Sequence, residues 1–421
     1  MSSPRRSVGG GSIPFLLAFV GPLVFLLALA VSAGAGTYEG YYNYLWNYPS
    51  EKQDLGWNEE AQGVGHDANY WFIANNGSIV TWGDEYLWKV PVTHDLTESI
   101  AGVPGVAFFH NGSHPELLVI CDHFGDPDCF RYAGHQYVLL PFDDATEDMA
   151  EFPYPGVVVL ESHDDPSVLE YKGFGLLSDE QGLASFVTVN PRDSCLYSAG
   201  SAVGPMRRYG IDWEQVDAGV IEFELLETFW VYDGDGGGPL WVDFMQGGEF
   251  SPSGELLFLS SGRGSEFVDW WGISVFRSSD WHMVAHSAPV LPFEFVYDPG
   301  SPPDDWEEPQ GLTIWDLDDG RAPGIIGQLH VILLDNDWPS ADDIFFKHYT
   351  NRIFVDHRCA QVPPGEQHGT PLWPFSTVAR AAAYAWPGSR LSIYQGSYDE
   401  SVIVDVETML LPAPGPVVIG Q

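Results

Sequence analysis

Four Gln-Gly dipeptides, starting at Gln62, Gln181, Gln246 and Gln310, punctuate residues 55–356, and Gly125 in HFGDPDCF stands near the middle of the widest gap. The marks are then roughly 60 residues apart, long enough for one four-stranded antiparallel sheet per interval. After each mark comes an apolar run, a polar turn and a second apolar run. The turns are Asn75-Asn76-Gly77, Ala133-Gly134, Pro191-Arg192-Asp193, Pro252-Ser253-Gly254 and Asp318-Asp319-Gly320. Short β-rich runs set between Gly, Asn, Asp and Pro are hairpin signals. A sheet with two apolar faces cannot bury both alone. Radial stacking of such sheets covers each face with a neighbour and leaves only short edges.

The period and the hairpins therefore predict an all-β chain: a β-propeller of five four-stranded blades, or six if GVAFFHNGSHPELLVI between Gly102 and His123 hides a degenerate one. In pattern the chain resembles the exported propellers of the YVTN/NHL and senescence-marker type, most closely in GGEFSPSGELLFLSSG, over residues 55 to 356. This resemblance concerns architecture, not activity.

The ends read differently. Arg5 and Arg6 precede an apolar run from Ile13 to Val31 and the small residues Ala33-Gly34-Ala35, as in a signal peptide over residues 1–36. The chain is therefore expected to be exported, secreted or in the cell envelope, with membrane attachment only if that segment stays uncleaved. An aromatic stretch, residues 37–54 with YEGYYNYLWNY, suits either sugar stacking or a closing strand. The propeller is assigned to residues 55–362 and a tail to residues 363–421. In the tail, FSTVARAAAYA sets Phe375, Val378, Ala379 and Ala382 on one helical stripe. GTPLWPFSTV and RLSIYQGSYDESVIVDV then resemble the opening of a pectin-lyase-like right-handed parallel β-helix, of which one coil is present. That class cleaves polysaccharide with residues on later coils, so the resemblance implies docking rather than activity here.

Charge narrows the partners. With 17 basic against 59 acidic residues the formal charge is −42, which repels nucleic acid and anionic headgroups. An extracellular protein or a glycan is the expected ligand of a monomer. Export permits disulfides, and Cys121 and Cys129 bracket a loop that a bridge could pin; Cys195 and Cys359 could pair or remain thiols.

The innermost strand of each blade lines the axis, so residues at its start are the candidate ligand site: Gln62, Asp67, His123, Asp126, Gln181, Gln246, Glu249, Glu308 and Gln310, with Asp128 and Glu307 nearby. Converging amides and carboxylates could hold Ca²⁺. A simpler role for the dipeptides is hydrogen bonding between blades, with glycine permitting close approach. In YDGDGGG, Asp233 and Asp235 have the alternation of a calcium loop without its downstream glutamate. No nucleophile elbow, zinc helix or phosphate loop occurs. Three readings stay open: a scaffold binding protein or polysaccharide, a calcium-assisted esterase, lactonase or phosphoesterase acting at the channel mouth, and a structural envelope component.

Overall fold

A computed structural model of the protein describes residues 42–421, apart from 53–54, 78–84, 118–120, 122, 144–154, 201, 235–236, 263–270, 290–292, 298–305, 337–341, 364–366, 387, 414 and 421. The expected signal segment and Asp235 lie outside the described residues.

Five four-stranded antiparallel sheets form in chain order, as the period predicts. Blade 1 runs Ala61–His66, Tyr70–Asn75, Tyr86–Pro91 and Ala107–His110. In blade 2 the inner strand is split into His123–Phe124 and Asp128–Tyr132, both paired to His135–Asp143, followed by Gly156–Asp164 and Ser167–Leu176. Blade 3 is Phe186–Val189, Leu196–Ala199, Met206–Ile211 and Phe223–Phe229; blade 4 is Met245–Phe250, Leu256–Ser261, Gly272–Arg277 and Met283–His286. Blade 5 takes Trp306–Ile314, Leu329–Asn336 and Asp343–Thr350 from one stretch, and its outer strand, Asn43–Asn47, from the opposite end of the described chain. The aromatic N-terminal stretch is thus the closing strand.

Strand periodicity explains why the blades stack. Side chains alternate faces along a strand. In Tyr70–Asn75, Trp71 and Ile73 join a core shared with blade 5, while Phe72 and Ala74 join one shared with blade 2. In Leu256–Ser261, Leu257 and Leu259 face blade 3 and Phe258 faces blade 5. A fifth core, with Leu139 and Val187, lies between blades 2 and 3. Five neighbour pairs thus have five apolar cores, which closes the ring.

Four expectations need correction. Ala107–His110 is the outer strand of blade 1 and His123–Phe124 begins blade 2, so no sixth blade hides between Gly102 and His123. Blade 1 makes its first turn at Asp67-Ala68-Asn69, where Asp67 Oδ1 accepts from the N–H groups of Asn69 and Tyr70 at 2.7 and 2.8 Å; Asn75 instead ends the second strand. The Cys121–Cys129 bridge does not form: all four cysteines are thiols. Cys121 packs in the core between blades 1 and 2, and Cys129 is held opposite Val138 by the strand ladder.

In the C-terminal segment the pairing turns parallel. Arg352–Val355, Ser389–Ile393 and Thr408–Pro412 form one ladder; Gly396–Tyr398 pairs with Val417–Ile419. The helix Val378–Tyr384 is capped by Thr377, whose Oγ1 accepts from Arg380 N at 3.2 Å. Its buried stripe is Val378, Ala381 and Ala382 with Phe375; Ala379 is exposed, the fourth correction. The segment docks on blade 5 through ions: Arg352 and Arg390 reach Asp318 at 2.7 and 3.1 Å, and Arg390 reaches Asp316 at 2.7 Å. The pectin-lyase-like identity remains an expectation.

Candidate functional site

The inner strands meet closely enough to fix their alignment. A Cβ added to Gly311 would lie 1.9 Å from Asp126 Oδ1 and 2.5 Å from Gly63 Cα; one added to Gly247 would lie 2.7 Å from Gly311 Cα. Only glycine allows blades 4, 5 and 1 to approach this way. The glycines of three Gln-Gly pairs thus face the axis, and what fills the axis is Asp126.

Asp126 is buried, and its carboxylate ties three blades together. Oδ1 accepts from Val64 N at 2.8 Å, and Oδ2 accepts from Gly248 N at 3.0 Å and Leu312 N at 3.3 Å. Its backbone holds a fourth: its N–H donates to Ser185 O at 2.9 Å and its carbonyl accepts from Val187 N at 3.3 Å. Burial pushes its pKa well above the usual carboxylate value, and the three N–H donors offset only part of that. The donors that converge here are N–H groups, which suit an anion and not Ca²⁺. An axial calcium at Asp126 does not fit these residues.

This plug divides the expected ring into two ends. Gln62, His123, Gln246, Glu308 and Gln310 lie toward the start of the inner strands, before the plug. Gln310 Nε2 donates to Glu308 Oε2 at 3.1 Å, and burial pushes His123 down to about 4. Gln181 stands apart, in the connection before blade 3, where its amide donates to Ser198 Oγ at 2.7 Å and accepts from Tyr209 at 2.7 Å. It braces its own blade.

Asp67, Asp128 and Glu249 lie beyond the plug on blades 1, 2 and 4, all three near enough to add to burial in raising the Cys129 thiol. Burial raises Asp128 to about 6, despite N–H donors from Val189 and Cys129, each at 2.6 Å. Glu249 is raised well above its usual value, first by burial and then by repulsion from Asp128; Thr313 and the Ile314 N–H at 3.1 Å relieve it in part. Asp67 is also raised by burial, while Asn69 N, Tyr70 N and the Lys89 ammonium pull the other way. Lys89 is itself buried, lies 3.9 Å from the Tyr70 ring centre, and reaches Asp164 at 3.7 Å.

His66 completes this end. Its ring stacks on Trp315 with centroids 4.7 Å apart, and Nδ1 lies 2.7 Å from Thr313 Oγ1. Burial lowers its pKa to about 3, so His66 meets Glu249, 3.9 Å away, as a neutral ring at pH 7. Carboxyl groups from three blades therefore share one end, each raised above its usual value chiefly by burial, and the charge of Asp128 raises Glu249 further. A held acid beside an ionised neighbour is an arrangement suited to proton transfer.

Sequence reasoning missed His66, Lys89, Thr313 and Trp315 as members of this end. A usable signal was present: a polar residue two to four positions after the axial glycine, as in Gly63 to Asp67, Gly125 to Asp128, Gly247 to Glu249 and Gly311 to Thr313. Elsewhere, Asp233 is exposed on a turn. His135, Glu161, His163 and Glu170 of blade 2 cluster with Asp217 of blade 3 and with Lys172, whose ammonium reaches Glu161 at 3.2 Å and Glu170 at 3.4 Å. An ammonium between the carboxylates makes this an ion-pair network rather than a cation site.

No family model matches the chain, and no curated protein matches it in sequence. The YVTN/NHL or senescence-marker membership is therefore not supported. Solved structures similar to the chain include the Bacteroides ovatus xyloglucan PUL GH43B, at 13% identity and TM-score 0.40 over 70% of this chain and 54% of that one. The chain thus spans about half the length of that protein. Others are the GH43 endo-arabinanase from Bacillus licheniformis (10% identity, TM-score 0.35, 72% and 96% covered) and the Cellvibrio cellulosa alpha-L-arabinanase (12%, 0.36, 69% and 94%).

Proposed function

We propose that the protein is an exported propeller that takes a neutral polysaccharide at the far end of its inner strands and hydrolyses a glycosidic bond there. Acetal cleavage needs a carboxylic acid to protonate the leaving oxygen and an ionised carboxylate on the other side. Glu249 is the proton donor in this reading, its pKa raised by burial and by the charge of Asp128. Asp67 is the base, with the Lys89 charge favouring its ionised form. Asp128 tunes Glu249. The chain's −42 charge disfavours a polyanionic substrate. The observation that carries this reading is the meeting of three carboxyl groups with raised pKa from three blades at one end.

A second reading is a scaffold that binds the glycan without turnover. It is favoured by the backbone N–H groups that already occupy all three carboxylates: two on Asp67, two on Asp128, one on Glu249. One experiment separates the two. Release of reducing ends and binding heat are measured on a panel of neutral polysaccharides with wild type and Glu249→Gln. Turnover lost in the variant, with binding retained, supports hydrolysis. Binding without turnover in wild type supports the scaffold, and neither binding nor turnover contradicts both.

A further inference from the structure

Between the connection leading out of blade 4 and blade 5, where the closing strand Asn43–Asn47 runs along Asp343–Thr350, lies a cleft of about 420 Å³, within the usual size of small-ligand clefts. Its walls include Tyr44, Asn47, Glu294, Tyr297, Glu307 and Lys347. Lys347 sets the problem this cleft poses. It is only 6% exposed. Its ammonium lies 5.5 Å from the Phe295 ring centre and 5.8 Å from that of Tyr44, and among the described residues it has no hydrogen-bond acceptor and no ion pair. Burial pulls its pKa to about 8, while the more distant charges of Glu307 and Glu294 hold it up. Close to neutral pH it is still largely cationic. A buried ammonium without an acceptor is costly, and two ring faces replace only part of what water would give it.

The surroundings restrict what could satisfy it. An anion would relieve Lys347 but would meet Glu294, Glu307 and a chain of net charge −42. A cation would suit the glutamates and be repelled by the lysine. A purely apolar guest would leave the ammonium without an acceptor. What fits is a neutral ring bearing hydroxyl groups: oxygens accept from Lys347, hydroxyls donate to Glu294 and Glu307, and C–H faces lie on Tyr44. Tyr44 is prepared for this, since its hydroxyl is already bound to Asn47 Oδ1 at 2.8 Å and its ring is held edge-on against Tyr349 at 5.5 Å.

We infer that this cleft is a binding site for one glycosyl unit of a neutral polysaccharide, separate from the carboxyl cluster at the axis. It would anchor the polymer on the rim of blade 5. The inference shares a ligand class with the proposed function but does not need the axial end to be catalytic.

The test is a calorimetric titration of the full chain with neutral trisaccharides built from xylose, arabinose, glucose and mannose. It is done on wild type, Lys347→Met and Glu249→Gln, with melting curves recorded for each. At least one trisaccharide is expected to bind wild type, with affinity reduced tenfold or more in Lys347→Met and that binding event retained in Glu249→Gln. If Lys347→Met does not fold, Glu307→Gln takes its place with the same tenfold loss expected. No binding to wild type at millimolar trisaccharide, or equal binding to a folded Lys347→Met or Glu307→Gln, overturns the inference. Binding lost only in Glu249→Gln overturns it as well, and leaves the axial reading standing.

Discussion

At the axis five sheets meet so tightly that glycine is the only residue three of them accept, and every blade covers its neighbour's apolar face. In the C-terminal segment three parallel strands stack on one another instead of closing into a ring. There Ile403 is 87% exposed, Met409 56% and Val418 54%. Both regions are built from short β-strands with alternating side chains. They differ in closure: a ring returns to its first member and has no last face, whereas a stack always has one. The segment's own core, around Phe375, Val355 and Leu391, draws its residues from the segment itself, the helix Val378–Tyr384 included.

The contrast is most sharply broken at Gly311. In Gly311→Ala the new Cβ meets Asp126 and the Gly63 backbone, so two blades must separate; a loss above about 4 kcal/mol, or failure to fold, is expected in urea melts. An alanine tolerated without cost would mean that the strands do not share an axis. Phe375→Ala should cost the C-terminal core about 3–5 kcal/mol. Here the effect should stay local: proteolysis should remove residues beyond Arg352 while the propeller's melt is unmoved.

The pH response also separates the regions. His330 and His348 are buried with their Nδ1 atoms 2.8 Å apart, and their Nε2 atoms each lie 2.8 Å from a carbonyl, of Trp315 and Tyr48. Burial lowers His330 to about 4 and also lowers His348 well below its usual value. A histidine lowered in the fold contributes stability that is present above about 6.5, its unfolded value, and is lost as pH falls toward the folded one. The penalty of His330→Gln should therefore shrink, by up to roughly 3 kcal/mol, between pH 6.5 and 4. Asp356 in the C-terminal segment is held below its usual value by Arg358, so its contribution is lost only below about pH 4. Comparing the chemical melts of both regions across this range checks the order. The smallest effect belongs to the open end: Ile403→Ser should change stability by less than about 0.5 kcal/mol, and a larger loss would reveal a covering surface.

Much of the architecture was legible because it is local. Hairpin turns such as Pro252-Ser253-Gly254 carry their geometry in adjacent residues, and a repeated hairpin carries the blade. What closes the ring is not local. Asn43–Asn47 pairs with a strand some 300 residues away, and nothing in YNYLWN alone selects that partner over a sugar. Asp126 was named as one of a ring of ligands, yet its acceptors' donors lie 62, 122 and 186 residues along the chain. Only the fold makes it a plug. Gln181 shared the dipeptide and not the place, because blade 3 starts its inner strand later, at Phe186. The acids beyond the plug were partly visible as residues; their shared end and raised pKa values arise from three blades at once.

That shared end can be measured without any substrate. Carboxyl ¹³C chemical shifts of Glu249, followed through pH in wild type and in Asp128→Asn, report whether blades 2 and 4 bring these two groups into one electrostatic site. The account predicts a raised titration for Glu249 that moves down when Asp128 loses its charge. A Glu249 that titrates at the same pH in both proteins would contradict it.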